Sequence, residues 1–308
     1  MVPRVNFEAL TSAGCKLTVV STLHLADLKS ELENRLEQKQ FHEAFANEYM
    51  FRFKFGPPEG LKNVKSIIVV AMPRPATQAV FNWNRKRHVF ILPPTYTAYD
   101  EKRVHVEQLA AEAVVKKGYR TATLNLPLKL LAVCSGLAQY GRNNIAYVQG
   151  MGSFMRLTAV YSDMPCESGD WHDAKVMDRC ADCGLCQNAC PTGAIAKDRF
   201  LLRAERCLTY HNEKEGKIPF PDWIKPEWHN CIVGCIRCQA VCPENKPFLG
   251  QVGGKAEFSE KETRLLLKGT SREQIPPATM KKMNTLGLMD YFNEMPRNLS
   301  ALLKTAKT

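Results

Sequence analysis

Cys180-Ala-Asp-Cys183-Gly-Leu-Cys186-Gln-Asn-Ala-Cys190-Pro191 is followed downstream by Cys235-Ile-Arg-Cys238-Gln-Ala-Val-Cys242-Pro243. Three cysteines spaced i, i+3, i+6 can wrap three corners of a [4Fe–4S] cube on one tight loop. A fourth cysteine, closed by proline, leaves that loop for a neighbouring cluster. The two runs together predict two cubanes and one-electron chemistry. A single C-x2-C would suit zinc or a redox disulfide equally well. Two zinc knuckles would also consume eight thiolates, but this crowding fits a cube better than separated pairs around a tetrahedral ion. A disulfide framework belongs to small secreted chains, whereas this one has 308 residues and opens MVPRVNFEALTSAGCKL, without a charged-then-apolar leader.

Nine of the twelve cysteines lie between 180 and 242, so the ligands must be chosen. Cys231-Ile-Val-Gly-Cys235 carries one residue too many for the usual spacing, which makes Cys207 the substitute. The expected sets are Cys180, Cys183, Cys186 and Cys242 on one cluster, and Cys190, Cys207, Cys235 and Cys238 on the other. Cys231 is then a spare thiol near the second cluster. Cys15, Cys134 and Cys166 are scattered and read as small buried hydrophobes.

The formal net charge of +11 is concentrated in residues 51–150, where 15 Lys and Arg face 5 Asp and Glu. Its densest run, Arg85-Lys86-Arg87-His88, reads as a solvated loop rather than a specific site. A positive field of this breadth suits nucleic acid, an acidic electron donor or an anionic cofactor, and charge does not choose among them. No apolar run approaches the roughly 18–20 residues needed to span a bilayer, and no twin-arginine signal is present near the start. A soluble cytoplasmic protein is expected, in keeping with the reducing environment that exposed cubanes favour.

The expected fold class is α+β. Residues 24–48 read as an amphipathic helix or helix pair, and Lys65–Met72 as a buried central strand closed by Pro73 and Pro75. A proline-bearing loop through Pro93–Asp100 leads into a helix over about 101–117, with Asp100 as N-cap and Gly118 as its end. Thr121–Leu124 reads as a strand, and Pro127 opens a helix reaching Tyr140. Gly141–Asn144 forms a turn, and Ile145–Gln149 and Phe154–Asp163 form two more strands. These elements make residues 1–165 an α/β domain. The irregular stretch Pro165–Met177 opens a cluster domain over 166–250, folded around its metals. Gly250–Gly254 reads as a linker into a short helical segment over 251–308.

With the cluster block behind an α/β domain, the chain resembles the epoxyqueuosine reductase family, cobalamin-dependent enzymes related to the reductive dehalogenases. The resemblance rests on Cys180–Pro191 followed by Thr192-Gly-Ala-Ile195, on Cys207-Leu-Thr-Tyr210 with Gly216-Lys-Ile-Pro219, and on Val233-Gly-Cys235 through Pro243. Lys65–Met72, Gly136-Leu137 followed by Gly141-Arg142-Asn143, and the tail with Lys268–Glu273 and Arg297-Asn298 add to it. It implies a nitroreductase-like first domain cradling base-off cobalamin, a ferredoxin-like double-cubane domain able to reduce the cobalt, and a short helical tail. It also supports Cys207 over Cys231. The corrin would touch Asn143, Tyr147, Val148 and Thr209, each of which also reads as ordinary turn or strand packing. His211, beside that segment, reads as a cobalt ligand or proton donor, with a hydrogen-bonded histidine as the competing reading.

One departure is chemical. Family members are similar in a Val-Asp-x-x-Pro stretch whose aspartate is the expected proton donor, but here Thr121–Pro127 holds no acid, and none occurs between Tyr119 and Tyr140. An asparagine cannot supply that proton near neutral pH. The sequence therefore leaves the catalytic acid unassigned. The reading favoured is a reductase passing electrons from a ferredoxin or flavodoxin through two [4Fe–4S] clusters to cobalamin, for a small-molecule substrate other than epoxyqueuosine. A non-catalytic carrier that reduces a corrinoid protein is one alternative. Epoxyqueuosine reduction in tRNA with a different acid is the other, a partner that the basic domain allows without favouring.

Overall fold

The structure is a computed structural model and describes residues 5–96, 99–166 and 170–305. Thr97 and Ala98 of the expected loop, residues 167–169 of the expected boundary, and the terminal residues 1–4 and 306–308 lie outside the described residues. The strands are β1 (Lys16–Ser21), β2 (Ser66–Pro73), β3 (Ala76–Trp83), β4 (Lys86–Leu92), β5 (Thr121–Thr123), β6 (Gln139–Tyr140), β7 (Ala146–Tyr147), β8 (Met155–Ser162) and β9 (Val252–Phe258). The helices are α1 (Glu8–Ser12), α2 (Leu25–Glu37), α3 (Glu43–Tyr49), α4 (Tyr99–Val115), α5 (Leu128–Cys134), α6 (Leu185–Ala189), α7 (Leu208–Asn212), α8 (Arg237–Ala240), α9 (Glu260–Leu267), α10 (Pro277–Thr285) and α11 (Met295–Thr305). They form two compact units, and each is discontinuous in sequence.

The first unit comprises residues 1–73, 100–184 and 198–201. Its sheet runs β1-β2-β8-β5 with every pairing antiparallel. β2 is apolar on both faces because both are covered. Ile67, Val69 and Ala71 pack into a core with Leu28 of α2 and Leu130 and Leu131 of α5. Their alternates Ile68, Val70 and Met72 pack with Leu10 of α1 and Val106, Ala110 and Val114 of α4. The continuous hydrophobic run is thus two period-2 sets read together, the signature of a sheet buried between helical layers.

The second unit comprises residues 74–99, 185–197 and 202–308. Two readings of the sequence are corrected here. The Arg85–His88 run, read as a solvated loop, belongs to a β3–β4 hairpin whose turn residues Asn84 and Arg85 have φ of 51° and 61°. That is the left-handed pair required by a two-residue hairpin turn. The basic run consequently lies on a hairpin, where Arg87 pairs with Glu257 at 3.5 Å. Gly250–Gly254, read as a linker, runs into β9, which pairs parallel with β3. Glycine is needed there, since a Cβ on Gly253 would sit 2.2 Å from the Pro75 ring.

Smaller corrections concern element ends. The helix expected to reach Tyr140 stops at Cys134, because Gly136 turns the chain at φ 74°. Asp100 lies inside the first turn of α4 rather than capping it, and the strand expected over 145–149 is reduced to Ala146–Tyr147. Cys15 and Cys134 are buried as expected, whereas Cys166 is only half-buried and directs its thiol at the Val19 carbonyl.

β9 holds the second unit through Phe258, which is fully buried and stacked on Phe81 with ring centroids 4.7 Å apart. Phe258→Ala is expected to cost about 3–5 kcal/mol. The check is chemical denaturation of the full chain, and a loss below about 1 kcal/mol would show that this stack does not anchor the strand.

Candidate functional site

Four cysteines of the two motifs, Cys186, Cys190, Cys235 and Cys238, come together with Cys207 in the second unit. Cys190 follows α6, and its loop is braced by Arg206 Nε, which donates to the Thr192 carbonyl at 2.8 Å. Cys207 sits at the N-terminus of α7, while Cys235 and Cys238 flank and enter α8. Burial pushes the Cys238 thiol well above its ordinary value, and the neighbouring thiols of Cys235, Cys207, Cys186 and Cys190 push it further. Cys207 is raised by burial and by Cys235, against backbone N–H groups of Thr209 and Tyr210 that favour its thiolate. Cys235 is likewise raised by burial and by Cys190, against hydrogen bonds from Asn230 and the Arg237 N–H. Among the described residues no three His, Cys, Asp or Glu side chains close on one point as ligands of a single ion would, so the coupled thiols are spaced more widely than that.

Cys231 is placed differently. It is 1% exposed, forms a parallel bridge with Ile91, and donates its thiol to Asn230 Oδ1 at 3.1 Å. Of the four ligands expected on one cluster, Cys180 and Cys183 lie in the first unit, and Cys186 and Cys242 in the second. Arg142 Nε donates to the Cys180 carbonyl at 3.1 Å, which ties the start of that motif to the Gly141–Asn144 turn.

The first unit also contains a cleft of about 1190 Å³. That is larger than the ~300–1,000 Å³ of ordinary small-molecule sites. Tyr147 and Val148 line it. Asn143 is buried behind them and donates Nδ2–H to the Tyr147 hydroxyl at 2.8 Å, while its Oδ1 accepts the Ile145 N–H at 3.3 Å. Gly141 makes this packing possible, because a Cβ would lie 2.6 Å from both Asn143 Oδ1 and the Tyr147 ring.

Thr209 and His211 lie on α7 in the second unit. His211 Nε2 is 2.8 Å from the Glu205 carbonyl, which can only accept, so this nitrogen carries the proton. Burial lowers the His211 pKa.

Sequence reasoning missed another part of the cleft lining. Asp170, Trp171, His172, Asp173 and Lys175 line it, within a stretch read only as a boundary. The available signal was the run Asp170-Trp-His-Asp173 itself. The acid-free turn has a structural explanation: Asn125 Nδ2 donates to the Arg52 carbonyl at 2.7 Å, and its own carbonyl accepts the Lys54 N–H at 2.9 Å. That side chain is engaged in holding the 52–54 segment.

The fold is α+β, and the comparisons add an iron–sulfur signature to it. Residues 179–245 match the family model of the 4Fe-4S double cluster binding domain. An epoxyqueuosine reductase of Burkholderia pseudomallei is 31% identical over 197 residues, covering 61% of this chain and 45% of that protein. The structure of epoxyqueuosine reductase from Streptococcus thermophilus superposes with a TM-score of 0.65 at 18% identity, covering 97% of this chain and 80% of that one. An epoxyqueuosine reductase solved with a tRNA-Tyr stem loop gives a TM-score of 0.60 at 20% identity, with coverages of 97% and 82%. At these identities the structural likeness is one of fold. The chain is thus similar to epoxyqueuosine reductases in part of its sequence and in fold, and it spans about a third to a half of the length of the curated proteins it matches.

His229 supplies a pH test of the second unit. It is buried against Phe220, and burial followed by the Arg297 charge lowers its pKa to about 4. A histidine kept neutral in this way contributes stability that is complete above about 6.5 and is lost as the pH falls towards 4. Between pH 7 and 5 the wild type should lose about 2 kcal/mol through this residue. His229→Gln should flatten that limb in paired denaturation curves, and parallel limbs for the two proteins would refute the assignment.

Proposed function

We propose that the chain is an iron–sulfur reductase passing low-potential electrons through two [4Fe–4S] clusters to a cobalamin held in the cleft. The observation that carries this reading is the match of residues 179–245 to the 4Fe-4S double cluster binding domain, within which the half-buried Cys190, Cys207, Cys235 and Cys238 come together in one unit. Thiolates so placed need compensating positive charge, and iron supplies it while deprotonating its ligands outright. We assign these four to one cluster and Cys180, Cys183, Cys186 and Cys242 to the other.

The size of the cleft and its mixed lining support cobalamin as its occupant, and when bound it would supply a strongly reducing cobalt. Tyr147 and Val148 would form one wall, with Asn143 fixing the tyrosine. Thr209 and His211 remain proposed contacts of the same cofactor.

The relatives' names point to epoxyqueuosine, and one is named with a tRNA stem loop. Asp170 and Asp173 on the cleft wall provide carboxyl groups that the 121–127 turn lacks. Together these favour tRNA-borne epoxyqueuosine over an unrelated small molecule, with the acid drawn from the 170–173 segment. Ferredoxin or flavodoxin is the proposed electron donor.

Anaerobic reconstitution should give about eight irons per chain, and added cob(II)alamin should show a five-coordinate, base-off EPR signal. Fewer than eight irons would overturn the double-cluster assignment, and an unchanged free-cobalamin spectrum would overturn the cleft assignment. If the acids donate a proton, Asp173→Asn or Asp170→Asn should lower single-turnover reduction of epoxyqueuosine-containing tRNA by 10²–10⁴-fold while leaving the cobalt signal intact. Full activity in both variants would rule this segment out.

A further inference from the structure

We infer that Asn230 tunes the reduction potential of the second cluster through an N–H···S hydrogen bond to Cys235, and that Cys231 holds its amide in the orientation required. This rests on the double-cluster assignment above and is independent of the cofactor in the cleft.

A side-chain amide has a donor end and an acceptor end, and only its neighbours reveal which is which. Here they decide. The Ile236 N–H, which can only donate, lies 3.0 Å from Asn230 Oδ1. The Trp228 carbonyl, which can only accept, lies 3.2 Å from Nδ2. A flipped amide would set donor against donor and acceptor against acceptor. The second Nδ2 hydrogen is therefore free to point at Cys235 Sγ, which lies 3.2 Å away.

The oxygen end is closed by Cys231, whose thiol donates to Oδ1 at 3.1 Å. This thiol is buried, and its partner, an amide oxygen, can only accept, so the sulfur is the donor. Ile236 N–H and Cys231 Sγ–H thus take both lone pairs of Oδ1, and Trp228 O and Cys235 Sγ take both hydrogens of Nδ2. The amide is fully satisfied in this one orientation. The extra residue between Cys231 and Cys235 gains a physical meaning: it places the first thiol on the amide instead of on the iron.

A hydrogen bond aimed at a ligand sulfur stabilises the added negative charge of the reduced cluster more than the oxidised one. It therefore raises the potential. Removing it should make one cluster harder to reduce and leave the other unchanged.

The test is a potentiometric EPR titration of the anaerobically reconstituted full chain. Asn230→Ala is expected to lower one of the two midpoints by a tenfold change in the reduced-to-oxidised ratio at fixed potential, about 59 mV for a one-electron couple. Cys231→Ala should move the same midpoint the same way, and Cys231→Ser, which keeps a donor, should restore it. Unmoved midpoints in Asn230→Ala with eight irons bound would overturn the inference, as would an equal movement of both.

Asn230→Ala also removes the links to Trp228 and Ile236. Pulsed EPR of the reduced wild-type protein with ¹⁵N-labelled asparagine side chains therefore provides a second readout. A ¹⁵N coupling to one cluster is expected, and its absence would refute the hydrogen bond even if the variant failed to assemble. Wild-type protein with fewer than eight irons would remove the double-cluster assignment, and this inference with it. Eight irons with an unmoved midpoint would remove this inference alone.

Discussion

Bringing several thiols together in a partly buried loop is unfavourable unless positive charge joins them. Burial and mutual repulsion both push Cys238 well above the ordinary thiol range, and Cys207 and Cys235 follow for the same reasons. Backbone N–H groups at Thr209, Tyr210 and Arg237 and the Asn230 amide oppose this, but they offset only part of the cost. The local architecture follows from that imbalance. Helices α7 and α8 are only 5 and 4 residues long. Their value lies in aiming first-turn N–H groups at sulfur.

The tail helps to hold this arrangement in place. Arg297 donates to the carbonyls of His211, Asn212, Glu215 and Ile218, and stacks over Phe220. Asn298, almost fully buried, donates to the carbonyls of Asn212 and Ile232. The segment after Cys207 and the segment before Cys235 are thereby joined to one helix. This gives Arg297-Asn298, conspicuous in the sequence only through resemblance, a role in fixing the spacing of the thiols.

What the sequence made legible was whatever follows from spacing or uninterrupted hydrophobicity. Lys65–Met72 read correctly as a covered central strand because two faces of period 2 leave no polar gap, and the cysteine runs were legible because a cube constrains spacing tightly. The β3–β4 hairpin was hidden by its ending in Pro93-Pro94 and by a turn of Asn84-Arg85 rather than Asn-Gly. β9 was hidden by Gly253 and Gly254, which read as linker residues although close packing against Pro75 calls for glycine at 253. The cleft lining at 170–175 was missed for a different reason: it has no periodicity, and only tertiary structure brings it to the same cleft as Tyr147 and Val148.

The same cleft changes the weight of the missing acid. From the sequence, the acid-free turn before Pro127 argued against the family's reaction, since no asparagine can donate the proton. In the structure Asn125 has a different task, clamping the 52–54 backbone through its side chain and its carbonyl. A carboxylate there would lose the Nδ2–H donated to the solvent-exposed Arg52 carbonyl. The turn is therefore specialised for holding the chain, and proton donation is separable from it. Asp170 and Asp173 approach the cleft from a segment of irregular backbone, where a side chain can be repositioned without disturbing the sheet. For the proposed reaction, the absence of an acid at one position thus narrows which residue would perform the proton transfer, and does not by itself exclude that proposal.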